Sequence, residues 1–186
     1  AIEIARAHAP DLEIMASHEV WPQQSEYERA VLTLLNVYVK PLMEGYLSRI
    51  DSFLRERLPN AKLYITKSNG GIMSSAEAQR LPVHTLLSGP AAGVTGARIL
   101  GGFLGLDRIL TLDMGGTSTD VAVVLDGEPT LTTEGSVGSY PSKIPMIDIV
   151  TVGAGGGSIA WISPEGTLKV GPRSAGADPG PLRDAR

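Results

Sequence analysis

Glycine is distributed very unevenly along this chain of 186 residues. Of its 22 glycines, Gly45 alone precedes Gly70. Glycine in a helix interior costs about 1 kcal/mol relative to alanine, and it readily adopts the positive φ angles that tight turns need. The distribution therefore predicts a helical first third, followed by strands that are joined by glycine-rich turns.

Apolar residues from Tyr27 to Leu58 recur at steps of three to five residues. This spacing predicts one long amphipathic helix, or two helices placed end to end. Pro41 falls inside the pattern and should kink or divide the helix, and Pro59 should end it. The tyrosines on this face are expected to pack in the core rather than to contact a cofactor; they are Tyr27, Tyr38 and Tyr46.

Two smaller features are predicted around the start of this helix. Ser25 and Glu28 have the spacing of a capping box, in which each side chain would bond a free backbone N–H of the first turn. Residues 11–17 are predicted to form a short strand.

Three apolar segments each run into a glycine-rich turn. Ligands in open α/β sheets bind beyond the carboxyl ends of the strands, so the three turns together would line one cleft. Each turn is also compatible with a purely structural role in ending its strand. The segments are Leu63–Thr66 before Asn69-Gly70-Gly71, Ile109–Leu112 before Gly115-Gly116, and Ile147–Val152 before the turn at 153–157.

A helix is predicted between the first two of these turns, over residues 88–100. Ser88 is a suitable N-cap, and Pro90 is tolerated in a first helical turn. Gly93 and Gly96 lower the helix propensity, which indicates close packing against a strand; a ligand approaching the start of the helix is the alternative.

The segment Ile109–Val124 carries the strongest chemical signal in the chain. It places Asp113 and Asp120 on either side of a turn that contains two glycines and three hydroxyl residues. Carboxylates are the hard oxygen ligands that Mg²⁺ prefers, and backbone N–H groups in such a turn can converge on an anion. The pattern points to phosphate, metal and nucleotide, although a hairpin turn without function has a similar composition.

Several other function classes are excluded by the sequence. It contains no Gly-x-x-x-x-Gly-Lys-Ser/Thr motif and no Gly-x-Ser-x-Gly motif. Ser158 stands where a dinucleotide-binding fingerprint requires glycine. A net charge of −4 without a basic cluster argues against a nucleic-acid partner. Without cysteines there is no disulfide framework, and no apolar run is long enough to span a membrane, so we expect a cytoplasmic protein.

The segment Asp113–Asp120 resembles the second phosphate loop of the actin-like ATPase superfamily. A longer series of blocks resembles the hydantoinase A/5-oxoprolinase family, in the same order and over nearly the whole chain. These blocks are Ser68-Asn-Gly-Gly-Ile-Met-Ser74, the segment 82–94, Asp113–Asp120, Ile144-Pro-Met-Ile-Asp148, the segment 151–161, and Gly171-Pro-Arg-Ser-Ala-Gly-Ala-Asp-Pro-Gly-Pro181.

This resemblance implies an α/β fold, namely a ribonuclease-H-like domain of the actin-like ATPase type. Residues 61–186 would form the ATPase lobe with the second phosphate loop, and residues 1–60 would form a helical segment that precedes or packs on it. Because the superfamily uses two phosphate loops, the first would lie upstream of Ala1, and the chain is expected to be a fragment of a two-lobe protein. Alone, it is expected to bind ATP weakly and to turn over no substrate.

The resemblance also implies a function. It is the ATP-dependent hydrolysis of a small cyclic amide, hydantoin or 5-oxoproline, through phosphorylation of the ring amide. ATP and Mg²⁺ would be the cofactors, and a hydantoinase B-type subunit or domain would be the partner. Two alternatives stay open: an acetone-carboxylase-like ATP-dependent subunit, and a non-catalytic remnant that lacks the first lobe.

The residues that match the family's motifs receive roles by the same resemblance. Asp113 would be the catalytic residue and, with Asp120, would hold the metal. The cofactor-binding residues would be Gly115, Gly116, Thr117, Ser118 and Thr119 at the phosphates, with Gly155, Gly156 and Gly157 admitting either nucleotide or substrate.

Two positions qualify these expectations. Family members usually have histidine where this chain has Val150, which would affect activity if that histidine serves the chemistry. Arg173 and Asp178 lie in a segment rich in glycine and proline, and the simplest prediction is that they pair with each other and stabilise the loop.

Overall fold

The computed structural model describes residues 2–137 and 140–176, with helices and strands mixed along the chain. The helices are α1 (Ile2–His8), α2 (Ser17–Val20), α3 (Glu26–Arg57), α4 (Ser75–Arg80) and α5 (Ser88–Leu104), with a 3₁₀ turn at Pro82–Thr85. The strands are β1 (Tyr64–Thr66), β2 (Ile72–Ser74), β3 (Ile109–Met114), β4 (Thr119–Leu125), β5 (Glu128–Pro129), β6 (Leu131–Thr132), β7 (Gly135–Val137), β8 (Tyr140–Ser142), β9 (Met146–Ile147), β10 (Ile149–Val152), β11 (Ser158–Ile162) and β12 (Leu168–Ser174). None of the helices in the described residues is both long and apolar enough to cross a membrane.

The chain divides into two compact units. Unit 1 comprises residues 1–92 and 131–146, and unit 2 comprises residues 93–130 and 147–186. This division does not coincide with a boundary after residue 60, because the α4 segment and the 3₁₀ turn pack against α3 within unit 1.

Unit 1 is organised around α3. Leu32 and Leu47 on this helix are completely buried, each in its own apolar cluster. Between them the buried Asn36 accepts a hydrogen bond from the Val83 N–H at 3.1 Å and donates one to the Arg80 carbonyl at 3.2 Å. The amide side chain therefore satisfies two backbone groups and holds the 3₁₀ turn against α3. In the same unit β1 runs into the predicted turn at Asn69-Gly70-Gly71, and it pairs beyond the turn with β2.

The tyrosines of α3 are exposed, so the prediction that they pack in the core is wrong. Tyr27, Tyr38 and Tyr46 expose 66%, 78% and 53% of their surface. At about 100° per residue, Tyr27 and Tyr38 lie about 120° or more around the helix from the buried Leu32 and Leu47, whereas Tyr46 lies about 40° from Leu32. Tyr27 and Tyr38 thus belong to a second apolar stripe that unit 1 leaves exposed, and Tyr46 is exposed at the edge of the buried one.

Two further predictions about the first third are wrong, and the structure decides between one long helix and two. Ser25 has a φ of 88° and makes no side-chain capping bond, so the capping box does not form. Residues 11–16 contain no strand, and Ser17 begins α2. Pro41 does not divide α3, which runs for 32 residues and ends at Arg57, just before Pro59 as predicted.

Unit 2 contains an antiparallel sheet in the order β10-β4-β3, with β5 also paired to β4. The predicted strand–turn–strand at residues 109–124 is confirmed as β3 and β4. Side chains alternate between the two faces along each strand, so Asp113, Asp120 and Thr151 share one face. The opposite face is apolar and exposed at Leu110 and Leu112.

Helix α5 approaches β3 closely near the C-terminal end of the helix. A side chain at Gly101 would collide with Cδ1 of Ile109, the first residue of β3. By contrast, a Cβ at Gly93 or Gly96 would meet no atom of the described residues within 4 Å, so the predicted packing of these two glycines is wrong. Ser88 is the first helical residue rather than the cap before it.

Candidate functional site

The two carboxylates that flank the β3–β4 turn face each other across the sheet. Asp113 and Asp120 are directly paired in the register, which places their Cβ atoms about 4.5–5.5 Å apart. Asp113 is exposed, Asp120 is half-buried, and the Thr151 hydroxyl donates a hydrogen bond to Oδ1 of Asp120 at 2.6 Å. Like charges directly opposite in a ladder destabilise it, so this arrangement favours a cation between them.

The turn itself leaves three backbone donors unused. The Gly115 N–H donates to the Ser118 carbonyl at 2.9 Å and closes the turn. The N–H groups of Gly116, Thr117 and Ser118 make no hydrogen bond with any described residue, and neither do the Thr117 and Ser118 hydroxyls. Successive unpaired N–H groups in a turn form a concave donor site suited to an anion.

The second glycine loop, at residues 153–157, packs directly on this turn. The Gly156 N–H donates to the Gly115 carbonyl at 2.9 Å, and the Gly157 N–H donates to the Gly116 carbonyl at 2.7 Å. The Gly155 N–H donates to Oγ of Ser158 at 2.8 Å. The structure therefore places Gly155–Gly157 behind the turn, with their backbone donors already used.

Two of these glycines are required by the close approach of backbone to backbone. A Cβ at Gly155 would lie 2.6 Å from the Gly115 carbonyl oxygen, and one at Gly157 would lie 2.8 Å from the Gly116 carbonyl oxygen. Both distances are too short for any side chain. A Cβ at Gly156 would lie 3.7 Å from the nearest atom, so only the first and third glycines have this requirement.

Thr119 has a different environment from Thr117. It is buried, and its hydroxyl donates to the Ala154 carbonyl at 2.6 Å. Because faces alternate along β4, its side chain lies on the opposite face from that of Asp120. The structure therefore gives Thr119 a role in joining the two glycine loops and leaves Thr117 and Ser118 as the hydroxyls beside the free N–H groups.

Sequence reasoning missed two contributors to this arrangement. One is Thr151, which orients Asp120; the signal was its place in an apolar strand next to a glycine loop. The other is the end of β12, where the Ala175 N–H donates to the Gly157 carbonyl at 2.7 Å. The predicted pair of Arg173 and Asp178 is not tested, because Asp178 lies outside the described residues.

A model of the hydantoinase/oxoprolinase family matches residues 29–186. The chain belongs to this family. The predicted resemblance is thereby confirmed, and it extends over most of the chain.

Individual relatives agree with this assignment. The chain is 38% identical to caprolactamase subunit alpha of Pseudomonas jessenii over 98% of its length and 26% of that protein. It is 34% identical to 5-oxoprolinase 1 of Arabidopsis thaliana over 91% of its length and 13% of that protein. A nucleotide-free structure of acetone carboxylase matches with a TM-score of 0.77 and 32% identity, over 94% of this chain and 24% of that chain.

The chain thus spans about a quarter of the length of caprolactamase subunit alpha and of the acetone carboxylase chain. The mixed α/β fold resembles the corresponding part of these enzymes, and a caprolactamase structure from Pseudomonas jessenii matches with a TM-score of 0.74. Several hydantoinase/oxoprolinase relatives are named as subunits of larger assemblies.

Val150 is the position at which we expected histidine from the resemblance to the family. The register pairs Val150 with Val121, on the face of the sheet opposite to Asp113 and Asp120. A side chain at position 150 is therefore separated from the carboxylates by the sheet. Valine in place of histidine at position 150 therefore leaves the donors beside the turn unchanged.

The donor set fits a magnesium ion that arrives with a phosphate ligand. Among the described residues no group of three or more His, Cys, Asp or Glu side chains is placed to hold a metal ion. Asp113 and Asp120 supply two hard oxygen ligands, which is the number Mg²⁺ commonly takes from a protein when phosphate oxygens and waters complete its coordination.

Proposed function

We propose that the protein carrying this chain is an ATP-dependent hydrolase of cyclic amides, and that the β3–β4 turn binds the phosphates and metal of MgATP. One observation carries the proposal. Two opposed carboxylates, Asp113 and Asp120, lie at the same end of one sheet as three consecutive backbone N–H groups that have no partner among the described residues. The carboxylates are suited to binding the metal, and the N–H groups are suited to binding the phosphates.

Within this proposal each residue has a stated task. Asp113 and Asp120 hold Mg²⁺, directly or through its waters, and Thr151 fixes the orientation of the Asp120 carboxylate. The N–H groups of Gly116, Thr117 and Ser118 donate to phosphate oxygens. Residues 155–157 keep the turn in its shape from behind and make no direct contact with the ligand.

The chemistry follows the general pattern of phosphoryl transfer. When bound, MgATP would supply a phosphoryl group to the amide oxygen of the ring with release of ADP, and this would make that oxygen a leaving group. The contribution of this chain is positioning and the stabilisation of charge, because phosphoryl transfer requires little covalent participation by the protein. Donors that are held in place before the ligand arrives do not need to reorganise during the reaction.

The fold assignment supports the same function. An antiparallel hairpin whose strands carry opposed carboxylates around a glycine turn supports the proposal that unit 2 belongs to an actin-like ATPase lobe. We assign the sheet of unit 2 to that class and a ribonuclease-H-like topology to the lobe. A second subunit, of the hydantoinase B type, is the partner we propose, in keeping with relatives named as subunits.

A second candidate function is ATP-dependent carboxylation of a ketone. The structure of acetone carboxylase matches this chain as well as that of caprolactamase does, with TM-scores of 0.77 and 0.74. Both reactions need an oxygen atom to be activated by ATP, so the glycine turn serves either. Assays with 5-oxoproline, hydantoin and caprolactam, set beside acetone with bicarbonate, separate the two.

The test is the Asp113→Asn variant in the complete protein that carries this chain, assembled with its partner subunits. We expect substrate-dependent ATP turnover to fall by about 100-fold or more, because one ligand of the metal loses its charge. Asp126→Asn is the matched control: it removes the same charge from an exposed turn of the same unit, and asparagine tolerates the φ of 53° found there.

Circular dichroism of both variants checks that they fold. Wild-type turnover in the Asp113→Asn variant would overturn the assignment of the turn. Failure of the unmodified protein to bind MgATP in a calorimetric titration would favour the non-catalytic alternative.

A further inference from the structure

The hairpin formed by β11 and β12 carries two cations over one aromatic ring. The guanidinium carbon of Arg173 lies 5.4 Å from the centroid of the Trp161 ring, and Nζ of Lys169 lies 5.9 Å from it. The indole N–H donates to the Gly171 carbonyl at 3.0 Å, which fixes the ring relative to β12. Each cation thus lies within 6 Å of the centre of the same ring.

These two cations differ from the other basic residues that the structure describes in unit 2, Arg98 and Arg108. Arg98 pairs with Glu128 at 3.4 Å, and Arg108 lies 4.0 Å from Asp126. Lys169 and Arg173 have no carboxylate partner among the residues that the structure describes. Two like charges beside one ring repel each other, and an oxyanion bound to either of them would lower that repulsion.

The strand that bears Arg173 leads directly to the glycine loops. Ala175, two residues further along, donates its N–H to the Gly157 carbonyl, and Gly157 donates to the carbonyl of Gly116 in the turn. Two residues of extended chain span about 7 Å. The cluster therefore lies on the element that supports the proposed phosphate site.

We propose that Trp161, Lys169 and Arg173 form an oxyanion-binding cluster for a ligand of the neighbouring glycine loops. The planar guanidinium of arginine is suited to paired hydrogen bonds with carboxylate or phosphate oxygens, and stacking on an aromatic ring holds it in one orientation. The anionic group is either a carboxylate on the cyclic substrate or a phosphate of the nucleotide. In the first case the protein prefers a cyclic amide that bears a carboxylate over a neutral lactam. The identity of the ligands rests on the proposed function; the cluster itself does not.

The experiment uses the complete protein with Lys169→Gln and Arg173→Gln combined, and calorimetric titration with three probes: 5-oxoproline, neutral caprolactam and MgATP. Arg108→Gln is the matched control, since it removes an exposed cation from the same unit. We expect the dissociation constant for one anionic probe to rise by about 10-fold or more in the double variant, and to show a weaker dependence on salt. Caprolactam binding and the control variant should be unchanged.

The pattern of losses identifies the source of the oxyanion. Weaker 5-oxoproline binding with unchanged MgATP binding supports a substrate carboxylate, and the reverse supports a nucleotide phosphate. Unchanged affinity for both anions overturns the proposal, as does an equal loss for caprolactam or the absence of any anion binding by the unmodified protein. A single Arg173→Lys variant, which keeps the charge but not the planar fork, should show an intermediate loss.

The titrations also separate this proposal from the proposed function. Repeated in the Asp113→Asn background, they should show the same effect of the double variant on the anion that the cluster binds. If Asp113→Asn retains full ATP turnover while the double variant still weakens anion binding, the turn assignment fails and the cluster stands.

Discussion

The two glycine loops of unit 2 look alike in sequence and differ in how their backbone donors are used. In the turn at 115–118, three consecutive N–H groups have no partner among the described residues. In the loop at 155–157, all three N–H groups donate to Gly115, Gly116 and Ser158. The N–H groups of the first loop are therefore available to a ligand. Those of the second loop are used in hydrogen bonds that stabilise the first loop and their own turn.

The difference explains why glycine is needed in each loop. At Gly155 and Gly157 a side chain would strike the backbone of the turn, so these glycines serve packing. At Gly116 a Cβ would lie 3.9 Å from the nearest atom of the described residues, so the lack of a side chain leaves room for a ligand. The turn is exposed at Gly116 and Thr117, so a ligand can reach these donors.

The largest expected effect on stability and ATP binding comes from a substitution in the loop at 153–157. Gly155→Ala would place a methyl group 2.6 Å from the Gly115 carbonyl and 2.7 Å from the Ser118 nitrogen, so the two loops must separate. We expect a loss of about 1–3 kcal/mol in the free energy of unfolding, together with loss of ATP binding. Thermal melting and MgATP titration measure the two effects.

Gly153→Ala is the control in the same loop, since a Cβ there meets no atom within 4 Å. Its stability should be unchanged or slightly higher, because alanine reduces the freedom of the unfolded chain. Normal melting of the Gly155→Ala protein would show that the loops are not packed as described.

The next largest effect separates the two threonines of the turn. Thr119→Val should cost about 1–3 kcal/mol, because it leaves the Ala154 carbonyl without its donor. Thr117→Val should leave stability unchanged, because the Thr117 side chain is exposed and makes no bond in the described residues. Denaturant unfolding of both variants tests this contrast, and equal losses would contradict it.

A methyl group in the binding turn should affect affinity but not stability. Gly116→Ala fits without strain, so we expect an unfolding free energy within about 0.5 kcal/mol of the original. The dissociation constant for MgATP should rise about 10-fold, equivalent to about 1.4 kcal/mol, because the methyl group crowds the free donors. Unchanged affinity would show that phosphate does not approach this turn.

The smallest expected effect concerns the orientation of one carboxylate. Thr151→Val removes the 2.6 Å hydrogen bond to Asp120 and should cost about 1 kcal/mol of metal binding. The Mg²⁺ concentration that gives half-maximal ATP turnover should therefore rise several-fold. Thr151→Ser keeps the hydroxyl and should behave as the unmodified protein does; a loss of the same size in both variants would assign the effect to packing.

The sequence was sufficient to predict the hairpin and its opposed carboxylates. Glycines mark the turn at residues 115–116, and the strict alternation of strands puts residues equally spaced from the turn on one face. Asp113 and Asp120 are such a pair. This part of the site follows from local chemistry.

The role of the second glycine loop could not be predicted in the same way. Which donors remain free depends on contacts between Gly115 and Gly156, about 40 residues apart, and no local pattern contains them. The prediction that the tyrosines of α3 are buried failed for a related reason. Helical spacing shows which residues share a face, but tertiary packing decides whether that face is covered, as the exposure of Tyr38 illustrates.

The hydrogen bonds that join the two loops also set an order of assembly. A hairpin closed by a short turn forms within microseconds, whereas bringing Gly156 and Gly157 onto it requires a long stretch of intervening chain to be in place. Nucleotide affinity should therefore appear late during refolding, after the hairpin exists, so that the acquisition of binding reports the completion of this half of the molecule.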